Sequence, residues 1–133
     1  MSAVDVALLI VGSSLVIAVL AQAVHFDLAF GLRYSASARD EERSNVLSRR
    51  LGRVVRNQME GVAMFVPLAI LAQDRIDGGG FAAACLAYAI SRPVHGVFHA
   101  AGNGWVRSVT WIVGITLLIF LYGSVLFRSS SLA

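Results

Sequence analysis

Runs of apolar residues divide the chain into four long stretches joined by short polar connections. The first, Val6 to Val24, is interrupted only by Gly12, Ser13, Ser14 and Gln22. It continues as helix through His25 and Asp27 toward Phe30, which gives a span over about residues 4–30. Ala21-Gln22-Ala23 resembles a leader cleavage site, but the start carries Asp5 and no basic residue. The stretch therefore reads as a retained span. The second stretch is uninterrupted only from Gly61 to Ala72, too short to cross a bilayer. Its helix has to begin near Ser48 and run to about residue 73, carrying Arg53, Asn57 and Glu60 with it. Pro67 is the point where it should kink. The third span, about 81–100, is interrupted by Arg92 and Pro93. The fourth, about 106–127, has Arg107 at its entrance and no further charge.

The connections are turns. Gln73 to Gly80 ends in three glycines, and Ala100 to Trp105 contains Gly102-Asn103-Gly104. Short turns place successive helices antiparallel and adjacent. The tail from Arg128 to Ala133 is expected to fray. With no internal repeat, residues 1–133 read as one all-α, four-helix transmembrane domain. Composition agrees: 57% of the 133 residues are hydrophobic and 14% charged, and the mean hydropathy is +0.73. About a quarter of a soluble domain is charged. These values exclude a disordered chain, a multidomain soluble enzyme and a disulfide scaffold. Cys85, the single cysteine, reads as a small buried hydrophobe.

All eleven cationic residues are Arg, and seven of them lie between Arg33 and Arg56. A basic block between two apolar spans is a cytoplasmic loop under the positive-inside rule, not a nucleic-acid surface. Arg92 and Arg107 flank the third connection on the same side, whereas the opposite side has only Arg75 and Arg128. Both termini should then face away from the cytoplasm, across a bacterial inner membrane. Trp105 and Tyr122 are placed as interfacial anchors.

The polar residues inside the spans carry the candidate chemistry, because charge at membrane depth costs several kcal/mol unless it is paired or hydrated. Arg53, Asn57 and Glu60 are spaced i, i+4, i+7 and fall within roughly 60° of one another on one helix face, with Arg56 beside them. Tyr88, Arg92, His95 and His99 share a face of the third span. Arg107 and Ser108 open the fourth at the same end, and Arg33 closes the first there. One reading is an internal ion-pair network, such as Glu60 with Arg92, that only holds the bundle together. Yet Arg33, Arg53, Arg56, Arg92 and Arg107 face one obvious acid, Glu60. That excess suggests an absent anion. A small molecule with carboxylates for the Arg residues and an amine for Glu60 would fit. Glutathione has two carboxylates, an ammonium and a thiol, and a thiol beside Arg ionises more readily.

These residues resemble a known family. Arg53-Val-Val-Arg56-Asn57-Gln-Met-Glu60 is similar to the Arg-x-x-x-Asn-x-x-Glu signature of the MAPEG superfamily, the membrane-associated proteins of eicosanoid and glutathione metabolism. Arg92-Pro-Val-His95 resembles the family's Arg-x-x-His/Tyr element, and Arg107-Ser108 its Arg-Ser element. Tyr34 through Arg39-Asp40 resembles the loop of short bacterial members. The resemblance implies a homotrimer of four-helix subunits with glutathione bound between neighbours near the cytoplasmic face. Arg33, Arg53, Arg56, Asn57, Glu60, Arg92, His95, His99, Arg107 and Ser108 match its glutathione-site positions. Arg107 would stabilise the thiolate and Ser108 would neighbour the sulfur. The chain departs from the pattern at His99 and Trp111, where Tyr is common, and at Pro93, which removes a backbone donor directly after Arg92.

The activity so implied is a glutathione-dependent transferase or peroxidase. The bound thiolate would attack a lipophilic electrophile, or reduce a lipid hydroperoxide, that enters from the bilayer. A non-catalytic member of the same fold that binds lipid or a partner is the alternative. A small four-span exporter using Glu60 as its coupling acid is a weaker one, because Arg surrounds that acid. A haem or metal site on His25, His95 and His99 is opposed by Arg92, and no metal is expected.

Overall fold

The computed structural model describes residues 1–38, 40–72 and 79–130, with side chains described through Phe127. Residues 73–78, which hold most of the expected Gln73–Gly80 turn and Arg75, lie outside the described residues. So do Arg39 and the last three residues of the tail. The described chain is helical: α1 (Ala3–Phe30), a single turn α2 (Leu32–Ser35), α3 (Val46–Ala72), α4 (Gly79–Ala101) and α5 (Gly104–Ser130). The four long helices are each long and apolar enough to cross a membrane.

Local chemistry sets the ends. Ser2 and Asp5 form a reciprocal capping box at the start of α1. Gly31 ends that helix at a φ of 85°, a backbone conformation that favours glycine. Asn45 caps α3: its Oδ1 accepts from the Ser48 amide at 2.8 Å, and its own amide donates to Ser48 Oγ at 2.8 Å. His25 Nε2 lies 3.2 Å from the same Asn45 oxygen and ties α1 to this cap. Asn103 Oδ1 accepts from the Val106 amide at 3.1 Å and starts α5. The caps place α3 and α5 two residues earlier than hydropathy alone indicates. Pro67 and Pro93 both lie inside uninterrupted helices. The backbone of the tail stays helical through Ser130 instead of fraying from Arg128. No Gly or Pro follows Gly123 to stop it.

The bundle has two unlike halves. α1 packs on both α3 and α4, and α5 packs chiefly on α4. In the half that holds the N-terminus, Val4, Ala7 and Val11 of α1, Phe65, Leu68 and Ala69 of α3, Phe81, Cys85 and Tyr88 of α4 and Leu121 of α5 form a closed apolar core. Cys85 is buried and free. Small residues at Ala7 and Ala18 let α1 approach closely, as helix contacts in a bilayer require. Outward-facing apolar residues such as Ile17, Leu20 and Leu28 on α1 and Ile119 and Phe127 on α5 are exposed. On a soluble protein so continuous an apolar surface would aggregate. Here it is the surface that lipid covers.

The other half carries the Arg residues and buries polar groups. Asn45→Ala removes the α3 cap and the His25 contact together. The expected result is a loss of about 1 kcal/mol, read as a lowered melting temperature in detergent.

Candidate functional site: a cationic cleft at the Arg-rich end

Four polar side chains organise the buried side of this half. Gln58 is 2% exposed; its Nε2 donates to the Arg92 carbonyl at 2.8 Å, and its Oε1 lies 3.3 Å from Ser14 Oγ. One amide thus joins α1, α3 and α4. The Arg92 side chain turns the other way. Its Nη2 donates to the Asn57 carbonyl at 2.7 Å and to Asn57 Oδ1. Its guanidinium carbon stands 5.8 Å from the centroid of the Tyr88 ring, a cation–π contact. Tyr88 Oη in turn donates to the Gly61 carbonyl at 3.1 Å. The guanidinium lies in a slot that glycine makes possible. A Cβ on Gly61 would stand 2.8 Å from Arg92 Nε, and one on Gly114 3.8 Å from Nη1.

The expected Glu60–Arg92 ion pair is not formed. Arg92 bonds the oxygens of Asn57, one turn earlier on α3, while Glu60 is exposed and makes no ion pair among the described residues. At i+7 from Arg53, Glu60 has rotated past the α4 contact, so the carbonyl and amide of Asn57 reach Arg92 first.

A cleft of about 480 Å³ opens beside this network, lined by Asn57 from α3, His95 and His99 from α4, and Arg107, Ser108, Trp111 and Ile112 from α5. His95 is 3% exposed, and its Nδ1 lies 3.1 Å from both the Arg107 carbonyl and Thr110 Oγ1. A carbonyl only accepts, so Nδ1 carries the proton and Nε2 presents a lone pair. That Nε2, and both ring nitrogens of His99, have no hydrogen-bond partner. The two rings meet edge to face at 5.6 Å. Ser108 Oγ donates to the Gly104 carbonyl at 2.9 Å, which leaves its lone pairs free. The Arg107 guanidinium has no ion pair or hydrogen bond among the described residues. A smaller polar hollow of about 220 Å³ adjoins the cleft, lined by Arg50, Arg53, His99, Gly102, Asn103, Gly104 and Arg107. His99 and Arg107 belong to both.

Of the residues singled out by sequence, Asn57, His95, His99, Arg107 and Ser108 line the cleft, and Arg53 lines the adjoining hollow. Arg92 lies behind the wall and holds Asn57. Arg33 sits on α2, and Arg33, Arg56 and Glu60 are exposed and line neither space. His25 caps α3 and is remote from His95 in function. Among the described residues, no group of three His, Cys, Asp or Glu side chains could hold a metal. Arg50, Gln58 and Thr110 were not singled out. Gln58 was legible as an amide three residues from Gly61 on the Leu51–Val54–Gly61 side of α3. Nothing in the sequence sets Arg50 apart from its neighbour Arg49.

This arrangement can do two things chemically. It can neutralise an anion with Arg53 and Arg107, and it can offer a fixed, uncharged acceptor in His95 Nε2. Gly61→Ala should push Arg92 off Asn57 and cost about 1–3 kcal/mol. Thermal unfolding in detergent reads this as a lowered melting temperature. The MAPEG family model matches residues 1–127 of the chain. No curated protein and no solved structure shows significant similarity to it.

Proposed function

From the premise that this chain belongs to the MAPEG family and is a multi-pass integral membrane protein, we propose that it is a glutathione-dependent transferase or peroxidase. The carrying observation is an unpaired cation. Arg107 lines both the cleft and the hollow, and no acid lines either of them. An anionic sulfur beside Arg107 would supply the missing charge, and the guanidinium would favour thiolate over thiol. Ser108 Oγ, one residue on, would lie next to the sulfur and could turn its proton from Gly104 toward it. Arg53 would take a carboxylate, and Asn57, His95 and His99 would meet the peptide part of glutathione.

Arg33, Arg56 and Glu60 face outward on the single subunit. In a homotrimer they would border the seam between neighbours and complete the site, with Glu60 meeting the ammonium. The lipophilic partner would come from the bilayer. An apolar groove of about 450 Å³, lined by Met64, Ile115, Leu118, Ile119 and Tyr122, lies further along the same α3–α5 side. Tyr122 Oη spans it to the Met64 carbonyl at 2.7 Å. The positive-inside rule puts the Arg-rich end in the cytoplasm and both termini outside, in a bacterial inner membrane.

Calorimetry of the purified protein with glutathione tests this reading. The wild type should bind saturably. Arg107→Ala and Glu60→Ala should each weaken binding about tenfold or more, a loss of about 1.4 kcal/mol. Ultraviolet thiolate absorbance should disappear in Arg107→Ala. No binding up to millimolar glutathione would overturn the proposal and leave a family member without this thiol chemistry.

A further inference from the structure

The adjoining hollow has a composition that the thiol reading does not use. Arg50 and Arg53 reach it from the second turn of α3, and Arg107 from the first turn of α5. His99 closes its inner wall, and no Asp or Glu lines it. It therefore gathers three permanent cations with no counter-charge of their own. α5 also begins here at Gly104, so the positive end of its dipole adds to the same field.

Arg50 is held in place to do this. Its Nη1 donates to the Ala101 carbonyl at 3.3 Å, at the end of α4. Its guanidinium passes over Gly102, where a Cβ would lie 2.4 Å from Cζ and 2.5 Å from both terminal nitrogens. Gly102 also has a φ of 82°, which disfavours any side chain. The turn therefore serves Arg50 twice, through its conformation and through the space it leaves. Only one of the five N–H donors of Arg50 is used among the described residues.

We propose that this hollow is a phosphate site, and that the phosphate belongs to a phospholipid headgroup or to a free phosphate ion. Three guanidiniums from two helices supply donors from several directions, which suits the several oxygens of a tetrahedral oxyanion better than the two of a carboxylate. The volume, about 220 Å³, admits a phosphate with part of the group esterified to it. The place suits a headgroup. The hollow lies at the end of the α4 and α5 spans, beside Trp105, which is 80% exposed, as aromatic anchors are at headgroup level. Arg49 and Arg56 are exposed on the same end of α3 and extend the cationic field toward an anionic leaflet.

The test uses the purified full chain in detergent, with Arg50→Gln and Arg50→Lys beside the wild type. Arg50 has no part in the proposed thiol chemistry. One arm titrates inorganic phosphate by calorimetry. The other follows tryptophan quenching by brominated phosphatidylglycerol, with brominated diacylglycerol, which lacks phosphate, as control. The proposal expects saturable binding in at least one arm, weakened tenfold or more in Arg50→Gln and less in Arg50→Lys, with glutathione binding unchanged. Quenching by phosphatidylglycerol that phosphate does not displace identifies the headgroup as the source. Binding of phosphate with no preference for phosphatidylglycerol over diacylglycerol identifies the free ion. Equal behaviour of wild type and Arg50→Gln in both arms overturns the proposal. So does a tenfold loss of glutathione affinity in Arg50→Gln without phosphate binding, because the hollow would then hold a carboxylate of the thiol. Unchanged melting temperatures keep a misfolded variant from imitating either result.

Discussion

Arg92 is a guanidinium 5% exposed in the middle of a membrane bundle, and the geometry of the Arg-rich half follows from the need to satisfy it. In a bilayer no water completes a hydrogen-bond shell, so a buried charge has to find its partners inside the protein. Arg92 finds two oxygens on Asn57 and the face of Tyr88. Those contacts fix the height of α4 against α3. They also require Gly61 on one side and Gly114 on the other, since a methyl at Gly61 would occupy the guanidinium's place. Gln58 locks the same level from behind by bonding the Arg92 carbonyl and reaching Ser14 of α1. An apolar residue at 58 would leave that junction with nothing polar in common.

The two halves of the bundle follow from this polar layer. Beyond it toward the N-terminus, Phe65 stacks on Tyr88 at 4.9 Å, and Ala69, Leu68, Cys85 and Leu121 fill the space with no cavity between the helices at their centre. On the other side the side chains are long and charged and repel one another. α3 carries Arg50 and Arg53 and α5 carries Arg107, so the helices there cannot close on a common apolar seam. α5 leans on α4 and meets α3 little. The open side becomes the cleft. A binding site at this end is thus a consequence of like charges on facing helices, and its occupant has to be what those charges lack.

Within the cleft, the fixed elements and the free ones are clearly divided. The His95 ring is oriented by the Arg107 carbonyl and Thr110, and Asn57 is oriented by Arg92. These two present set acceptors. The Arg107 side chain and the His99 ring nitrogens are uncommitted, and they sit where the cleft and the smaller hollow meet. A ligand that bridges the two spaces would pass between them. A rigid floor with adaptable cations above it costs little reorganisation when an anion arrives.

Much of this was legible in the sequence. Four spans follow from apolar runs too long for a soluble core, and the second had to reach back over Arg53, Asn57 and Glu60 because Gly61–Ala72 cannot cross a bilayer. The spacing of Arg53, Asn57, Arg92, His95 and Arg107 placed them at one end, since helical periodicity and short turns fix faces and levels. What periodicity cannot fix is which neighbour a face meets. Glu60 and Asn57 lie on the same side of α3, and only the packing distance between α3 and α4 decided that Arg92 would bond the amide and not the acid. Arg49 and Arg50 are adjacent and chemically identical in the sequence. The turn at Gly102 gave one of them a carbonyl and a space over glycine and left the other exposed. Residue type and helical phase are local and can be read from the chain; pairing depends on how closely two helices approach, and that distance is set by all the side chains between them.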